Sequence, residues 1–339
     1  MKRSGLKKVL LGLTLMTLGC LGTSPAWAAY NLTWYTTPYA QPFGINNSGE
    51  VVGGVPINGL SQGFIGNTCG AINTYLAAPG ATTTWAEGIN KNTVVGWSIY
   101  DEAVVPTGYR GFFYDRNTAT YTMYDAKEAE TKYGYTVTGA TIDAINDNGD
   151  FVGHFFVEDG GLNIHHGYTN IGGVFTEVNA FDINGTYSTD VDALTNINDI
   201  SGHYKDGALT RGFMRLNGVM TNIPLPAGAD EMELERMNTI HQAVGYLNGS
   251  GYANAAFILD GPNGVPTQLF APGMYMATFA EGINDSGVIV GYVYDSAVGY
   301  RGYIATPSGA VPEPSTFLLT GAGIAALGFL ARRRNRNSR

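Results

Sequence analysis

A repeated unit is the feature that most restricts the folds open to this chain. Each copy carries Ile-Asn or a close variant, two or three turn residues, β-branched residues and a glycine. The clear copies are GINNSGEVVGG from Gly44, GINKNTVVGW from Gly88, AINDNGDFVGH from Ala144 and GINDSGVIVGY from Gly282, and weaker ones start at Leu194 and Met237. The repeat glycines are Gly53, Gly96, Gly153, Gly202, Gly245 and Gly291, at intervals of 43, 57, 49, 43 and 46 residues. Such a period with strand-forming residues is typical of a β-propeller or another β array.

A second signature follows in each unit, a small residue before an aromatic one. The pairs are Gly63-Phe64, Gly111-Phe112, Gly167-Tyr168, Gly212-Phe213, Ala256-Phe257 and Gly302-Tyr303. With a further strand-like segment, each unit supplies about four short strands joined by Gly and Asn turns. The sequence therefore predicts an all-β fold, a β-propeller of about six four-stranded blades. An open β solenoid and two sandwich-like halves are the alternatives.

The first and last units suggest how the array closes. Residues 32–36 form a strand-like segment with no earlier partner, and the last unit ends near Pro307 without a following strand. An open array would leave unpaired strand edges. We therefore expect the amino-terminal segment to complete the sixth blade, which places Trp34 near Tyr303.

The amino terminus is typical of a secretory leader. A basic patch and an apolar run from Val9 to Gly22 precede small residues at Ala26 and Ala28. This layout predicts a signal peptide over residues 1–28, removed by signal peptidase; a lipoprotein site at Cys20 is the alternative. Cleavage leaves Cys69 as the one cysteine, which we expect to be buried as a small apolar residue.

The carboxyl terminus, residues 311–339, carries a tripartite segment. It begins with Val311, Pro312, Glu313, Pro314 and Ser315, continues through the apolar residues 317–331, and ends in arginines. The apolar part would span only about 22 Å as a helix, less than a typical bilayer core. The segment resembles the PEP-CTERM sorting signal of Gram-negative bacteria; a plain transmembrane helix is the alternative. The resemblance implies export through the inner membrane, transient anchoring, processing by an exosortase, and display or release at the cell surface or extracellular matrix.

The domain between these ends, residues 29–310, contains all six repeat units. They lie near 43–66, 86–115, 142–169, 192–215, 236–259 and 281–305. The paired signatures resemble the HAF-type extracellular repeats, although the position before the aromatic residue is mostly Gly here where that family often has His. The resemblance implies an extracellular β-repeat domain, and the family has no assigned activity.

The charge of this domain bears on its partners. Setting aside the basic residues of the two ends and Glu313 leaves 10 basic and 27 acidic residues, a net charge of −17. Nucleic-acid binding depends largely on Lys and Arg neutralising phosphates, so we expect no nucleic-acid partner. Membrane contact is expected only through the carboxyl-terminal segment before processing.

One repeat position is a candidate binding site. Directly after the repeat glycine stand Trp97, His154, His203, Tyr246 and Tyr292, with Gly54 in the first copy. In a closed propeller equivalent positions form a ring, and aromatic and His rings can stack on sugars while Asn and Asp bind hydroxyl groups. Packing between blades is the alternative interpretation of this ring.

No catalytic or cofactor site is predicted. The chain has no zinc-hydrolase histidine pattern. The loop from Asn146 to Asp150 is compatible with a turn or with Ca²⁺ binding. The acidic run Asp230, Glu231, Glu233 and Glu235 is interpreted as solvated surface.

Two functions remain open from the sequence. The first is a non-catalytic surface or matrix protein that binds exopolysaccharide or another surface component. The alternative is a secreted polysaccharide hydrolase or lyase that uses loop carboxylates.

Overall fold

The computed structural model describes residues 29–100, 108–159, 162–181 and 188–308. The predicted signal peptide and the sorting segment from Val311 onward lie outside these ranges. Regular structure within them is almost entirely β. No helix in the described ranges is long and apolar enough to cross a membrane.

The strands follow the repeat units in chain order. After β1 (Tyr30–Trp34), the first unit forms β2 (Gln41–Ile45), β3 (Glu50–Ile57), β4 (Leu60–Asn67) and β5 (Ile72–Leu76). The second forms β6 (Thr83–Ile89), β7 (Thr93–Ile99), β8 (Tyr109–Asp115) and β9 (Thr120–Tyr124). Helix α1 (Lys127–Tyr133) precedes the third unit, which forms β10 (Val137–Ala140), β11 (Ala144–Ile145), β12 (Phe151–Asp159), β13 (Leu162–Ile171) and β14 (Val174–Val178).

The last three units continue the pattern. The fourth forms β15 (Thr189–Leu194), β16 (Ile200–Asp206), β17 (Leu209–Leu216) and β18 (Val219–Asn222). The fifth forms β19 (Ala229–Met237), β20 (Gln242–Gly249), β21 (Tyr252–Asp260) and β22 (Thr267–Gln268). The sixth contributes β23 (Ala277–Ile283), β24 (Ile289–Asp295) and β25 (Gly299–Pro307). The third unit differs from the expected four strands because its first strand is interrupted between Ala140 and Ala144.

The strands form several sheets with a propeller-like arrangement. Units one and two share an eight-stranded sheet, as do units four and five. Within each shared sheet the two antiparallel groups meet through one parallel pair, Ser61 with Thr83 and Thr210 with Glu231. The predicted all-β architecture is confirmed at this level.

The amino-terminal strand pairs with the last one. Strand β1 runs antiparallel to β25, with Trp34 opposite Tyr303 and their ring centroids 6.3 Å apart. The backbone N–H of Ser308 also donates to the carbonyl oxygen of Ala29. The predicted pairing of the amino-terminal segment with the last unit is therefore confirmed.

Both sequence signatures have packing roles. The aromatic residue of the second signature is fully buried in every unit, at Phe64, Phe112, Tyr168, Phe213, Phe257 and Tyr303. The repeat glycine lies against the first strand of its own unit: a Cβ on Gly96 would collide with the carbonyl oxygen of Trp85, and one on Gly245 with that of Glu233. Only glycine permits this close approach of two backbones.

The Asn of Ile-Asn holds a turn and reaches the next unit. The Oδ1 of Asn146 accepts from the backbone N–H groups of Asn148 and Asp150. The loop proposed as turn or Ca²⁺ site is thus built as an Asx turn. Hydrogen bonds from the side-chain amides of these Asn residues to backbone carbonyl oxygens then link one unit to another. Asn90 donates to Asn146, Asn146 to Thr195, Asn238 to Asn284, and Asn284 to Asn46. The last of these joins the sixth unit to the first, and residues of all six units line one depression of about 90 Å³.

Candidate functional site

A bulge recurs at one position of the first strand of the units. The ladder shifts register there at Phe43, Glu87, Asp192, Glu235 and Glu281. In the third unit Asp143 holds the same position, in the gap between β10 and β11. A bulge takes its residue out of the regular alternation of faces. We call Glu87, Asp143, Asp192, Glu235 and Glu281 the inner-strand carboxylates.

The predicted ring residues lie beside carboxylates of their own units. The indole Nε1–H of Trp97 donates to Glu87 Oε1 over 3.2 Å, and His154 Nδ1 lies 3.0 Å from Asp143 Oδ2. In the fourth unit His203 Nδ1 lies 3.0 Å from Asp192 Oδ2. Tyr246 donates its hydroxyl proton to Glu233, and Tyr292 is hydrogen-bonded to Glu281. The structure therefore pairs each predicted ring residue with an acid.

Burial changes how these acids ionise. It raises the pKa of Glu87 to about 7 and that of Glu281 to about 8, against partial compensation by Arg236. Burial likewise raises the pKa of Asp192 to about 6 and that of Glu235 well above its usual range, where the Glu281 charge adds to the effect. Part of this cluster therefore carries protons at neutral pH.

The pKa of Asp190 shifts in the opposite direction. Burial alone would raise its pKa, but His154, His165 and His203 surround it and hold that pKa well below the usual range. Burial would lower the pKa of His154, yet the charges of Asp190 and Asp143 outweigh it and raise that pKa to about 9. One side of the site thus holds imidazolium–carboxylate pairs while the other holds protonated acids.

Arg236 lies among the inner-strand carboxylates. Its Nη1 donates to the carbonyl oxygens of Asp192 and Glu235, at 2.6 and 2.7 Å. Its Nη2 donates to the carbonyl oxygens of Asp143 and Glu87, at 2.7 and 3.0 Å. One guanidinium therefore ties the first strands of four consecutive units together at their closest approach.

An arc of aromatic side chains completes the site. It consists of Phe43, Trp85, Trp97, Tyr246, Phe279 and Tyr292, which we call the aromatic arc. Trp85 and Trp97 stack at 5.6 Å with planes 4° apart, and Phe279 and Tyr292 stack at 4.7 Å. Phe43 joins the two pairs, 4.9 Å from Trp85 and 6.0 Å from Tyr292. These rings are half-buried, except Phe43, which is buried.

Two expectations from the sequence are wrong. Cys69 is exposed, because it lies in the turn closed by Asn67 and Gly70 rather than in a strand. In the acidic run, Glu233 and Glu235 belong to β19 and are only partly exposed: Glu233 accepts a hydrogen bond from Tyr246, and the carbonyl oxygen of Glu235 accepts one from Arg236. The inner-strand carboxylates could have been found from the repeat itself, since five of six units carry Asp or Glu two positions before the Ile of Ile-Asn or its counterpart.

The carboxyl-terminal segment is identified by comparison. Residues 310–334 match the PEP-CTERM protein-sorting motif. The protein is therefore exported, sorted by an exosortase, and anchored through its carboxyl terminus before processing. This motif, including Val311 to Ser315, lies outside the described residues.

Other comparisons concern the whole chain. A search of curated proteins returned no match. Among solved structures, the Trypanosoma rangeli sialidase in complex with the inhibitor DANA is similar with a TM-score of 0.48 and 10% identity; the match covers 86% of this chain and 57% of that one. A glycosyl hydrolase from Bacteroides ovatus is similar with a TM-score of 0.28 and 12% identity, over 84% of this chain and 90% of that one. Neither likeness indicates an activity for this chain.

Proposed function

We propose that this exported protein is a non-catalytic, six-bladed propeller of the HAF-repeat type that binds extracellular carbohydrate at the cell surface or in the matrix. The single observation that carries the proposal is the aromatic arc set directly beside the inner-strand carboxylates. Closure of the ring is supported by the β1–β25 pair and by the hydrogen bond from Asn284 to Asn46.

The chemistry of the arc suits sugar rings. Stacked and half-buried rings such as Trp85 and Trp97 offer flat apolar faces to the C–H side of a pyranose. The carboxylates next to them accept hydrogen bonds from hydroxyl groups, as the Glu87 carboxylate already does from an indole N–H. Trp97, His154, His203, Tyr246 and Tyr292 are thus proposed as contact residues rather than packing residues alone.

The charge of the site and of its surroundings limits the classes of polysaccharide that we expect to bind. Arg236 stands against five inner-strand carboxylates and donates most of its protons to backbone carbonyl groups. Several of these acids hold protons at neutral pH, but the domain as a whole carries a net charge of −17, so an anionic polysaccharide would meet like charge on approach. We therefore expect the ligand to be a neutral or amine-bearing exopolysaccharide.

Binding by the full chain tests this proposal. We expect retention on a neutral β-glucan or on chitosan, weaker retention on alginate, and at least a tenfold loss of affinity for Trp97→Ala. Tyr75→Ala is the matched control, because Tyr75 is an aromatic residue 49% exposed on β5, the outer strand of the first unit. Absence of retention, or equal loss in both variants, would contradict the proposal.

A hydrolase or lyase is the second candidate, favoured by one observation. Glu281, with a pKa of about 8, can hold a proton at neutral pH while the pKa of Asp190 is held low by three histidines. Acids with opposed pKa shifts are typical of general acid–base pairs. New reducing ends during the binding assay, lost in Glu281→Gln but kept in Glu158→Gln on the exposed rim of β12, would establish this alternative.

A further inference from the structure

We propose that His154, His165 and Asp190 form a binding site for one divalent transition-metal ion. The three side chains come from β12, β13 and β15, on two neighbouring units. One potential ligand atom from each lies within 4.8 Å of the others. This inference does not depend on the carbohydrate proposal.

The atoms face one another. Asp190 Oδ1 lies 3.0 Å from His165 Nδ1 and 3.6 Å from His154 Nδ1. Ligand atoms about 2.1 Å from a common ion lie roughly 3 to 4 Å apart, as these atoms do. The two imidazole rings stack 4.9 Å apart with planes 6° from parallel, so binding would require one ring to rotate until both nitrogens point at the ion. The side chains of His154 and Asp190 are each 14% exposed, and that of His165 is 33% exposed, which leaves a route for the ion.

The donor set selects the kind of metal. Two imidazole nitrogens and one carboxylate oxygen suit Zn²⁺, Co²⁺, Fe²⁺, Mn²⁺ or Cu²⁺. Ca²⁺ and Mg²⁺ prefer an all-oxygen set and are disfavoured here. Two imidazoles and a carboxylate leave further coordination positions for water or a ligand from solution.

The surrounding polar atoms favour a cation. His154 Nδ1 has three oxygen neighbours, Asp143 Oδ2 at 3.0 Å, Thr141 Oγ1 at 3.1 Å and Asp190 Oδ1 at 3.6 Å. A ring nitrogen carries at most one proton, so it cannot serve all three oxygens. A metal ion bound to Nδ1 would take the place of that proton beside these oxygens.

A neighbouring pair is poorly matched without a ligand. In the described part of the chain, Asp192 Oδ2 and His203 Nδ1 are buried and make no aligned hydrogen bond, although they lie 3.0 Å apart. Asp192 is only 7% exposed. His203 Nε2 also lies 3.1 Å from Asp190 Oδ2, so this pair adjoins the proposed ligands. Buried polar groups usually find partners, and an ion with its bound water would supply them.

Metal titration of the full chain tests the site. After chelator treatment and dialysis, we expect one equivalent of Zn²⁺ by elemental analysis and calorimetry, and a Co²⁺ visible absorption band. His165→Gln and Asp190→Asn should each weaken Zn²⁺ binding at least tenfold. His241→Gln is the control, because His241 is 30% exposed like His165 but pairs with Asp199 outside the cluster.

Two results would overturn the proposal. The first is a wild-type chain that binds neither Zn²⁺ nor Co²⁺ stoichiometrically, which would leave a metal-free network of ion pairs. The second is unchanged affinity in folded His165→Gln and Asp190→Asn, as judged by circular dichroism. If a variant does not fold, nitrogen hyperfine splitting in the electron paramagnetic resonance spectrum of the wild-type Cu²⁺ complex decides: splitting from two imidazoles supports the site, and its absence overturns it.

Discussion

Arg236 occupies a repeat position at which every other unit has Gly or Ala. The equivalent residues are Gly44, Gly88, Ala144, Ala193 and Gly282. A Cβ on Gly44 would collide with the carbonyl oxygen of Glu87, and one on Gly282 would press on Phe43. Six such positions converge, so the space between them admits a single long side chain. Arg236 fills that space and neutralises part of the charge around it.

Replacing Arg236 by Met should be costly. Arg236→Met leaves four carbonyl oxygens without their donor and removes the cation beside Glu87, so we expect a loss of about 3 kcal/mol in the free energy of unfolding. Urea unfolding at pH 7, followed by tryptophan fluorescence, measures it. Arg211→Met is the control: Arg211 pairs with Asp206, both side chains about a quarter exposed, and its loss should cost under about 1 kcal/mol. Equal losses would argue against a central role for Arg236.

Sequence reasoning located part of the site. The residues after the repeat glycine could be predicted because the repeat aligns them directly. The inner-strand carboxylates were missed, because a bulge breaks the two-residue alternation from which inward-facing residues are inferred. The pairing of Asp190 with three histidines could not be predicted, because His165 lies outside the repeat positions that the copies share.

At the scale of elements, the Asn of the Ile-Asn turn has two roles: it closes its own turn and it bonds to the neighbouring unit. In the last unit, Asn284 Oδ1 accepts from the N–H groups of Ser286 and Val288, and its amide donates to Asn46 of the first unit. The fourth unit has Thr195 at this position, which has no amide to donate. The turn between the first two strands of a unit is therefore also its attachment to the neighbouring unit.

Removing one of these amides should destabilise the whole protein. Asn284→Ala deletes three hydrogen bonds around a residue only 6% exposed, and we expect a loss of about 2–3 kcal/mol. Thermal unfolding monitored by circular dichroism provides the measurement. Asn92→Ala should cost less than about 0.5 kcal/mol, because Asn92 is exposed and contributes backbone groups to its turn. A similar shift in both variants would mean that the amide link contributes little.

The order of strands was predictable, but their irregularities were not. Gly and Asn turns at regular spacing give four strands per unit, and burial of the signature aromatic residues fixes which face is internal. The interruption before Ala144 and the insertion of α1 follow from long-range packing: Ala129 is buried, and Lys132 donates to the carbonyl oxygen of Phe175. In the described residues of the other copies neither feature has a counterpart.

For the whole molecule, the buried acids set the pH dependence of stability. An acid whose pKa is raised on folding stabilises the fold fully below its unfolded pKa and loses that contribution as pH rises through the folded value. Glu87, Asp192 and Glu281 have folded values of about 7, 6 and 8. In the metal-free protein the pKa of His154, raised to about 9, acts in the same direction, because its contribution is complete below its unfolded pKa and is lost toward pH 9.

We therefore expect the protein to be more stable at pH 5.5 than at pH 8.5. Glu281→Gln should reduce this difference by about 2 kcal/mol, because it removes a titrating group that faces Glu87, Glu233 and Arg236 and hydrogen-bonds to Tyr292. Urea unfolding at both pH values measures the difference. Glu158→Gln on the exposed surface should leave it unchanged, and stability that rises with pH would show that these acids ionise freely in the folded state.

The first and last described residues are hydrogen-bonded to each other. Ser308 donates to Ala29, the PEP-CTERM motif starts at residue 310, and the leader is predicted to end at Ala28. The predicted leader and the sorting motif are consequently joined to neighbouring strands of one sheet. If the leader is removed after Ala28, the mature chain begins on the strand that pairs with the one leading to the sorting motif. An attachment at either terminus would therefore hold the folded domain by the same edge of the same sheet.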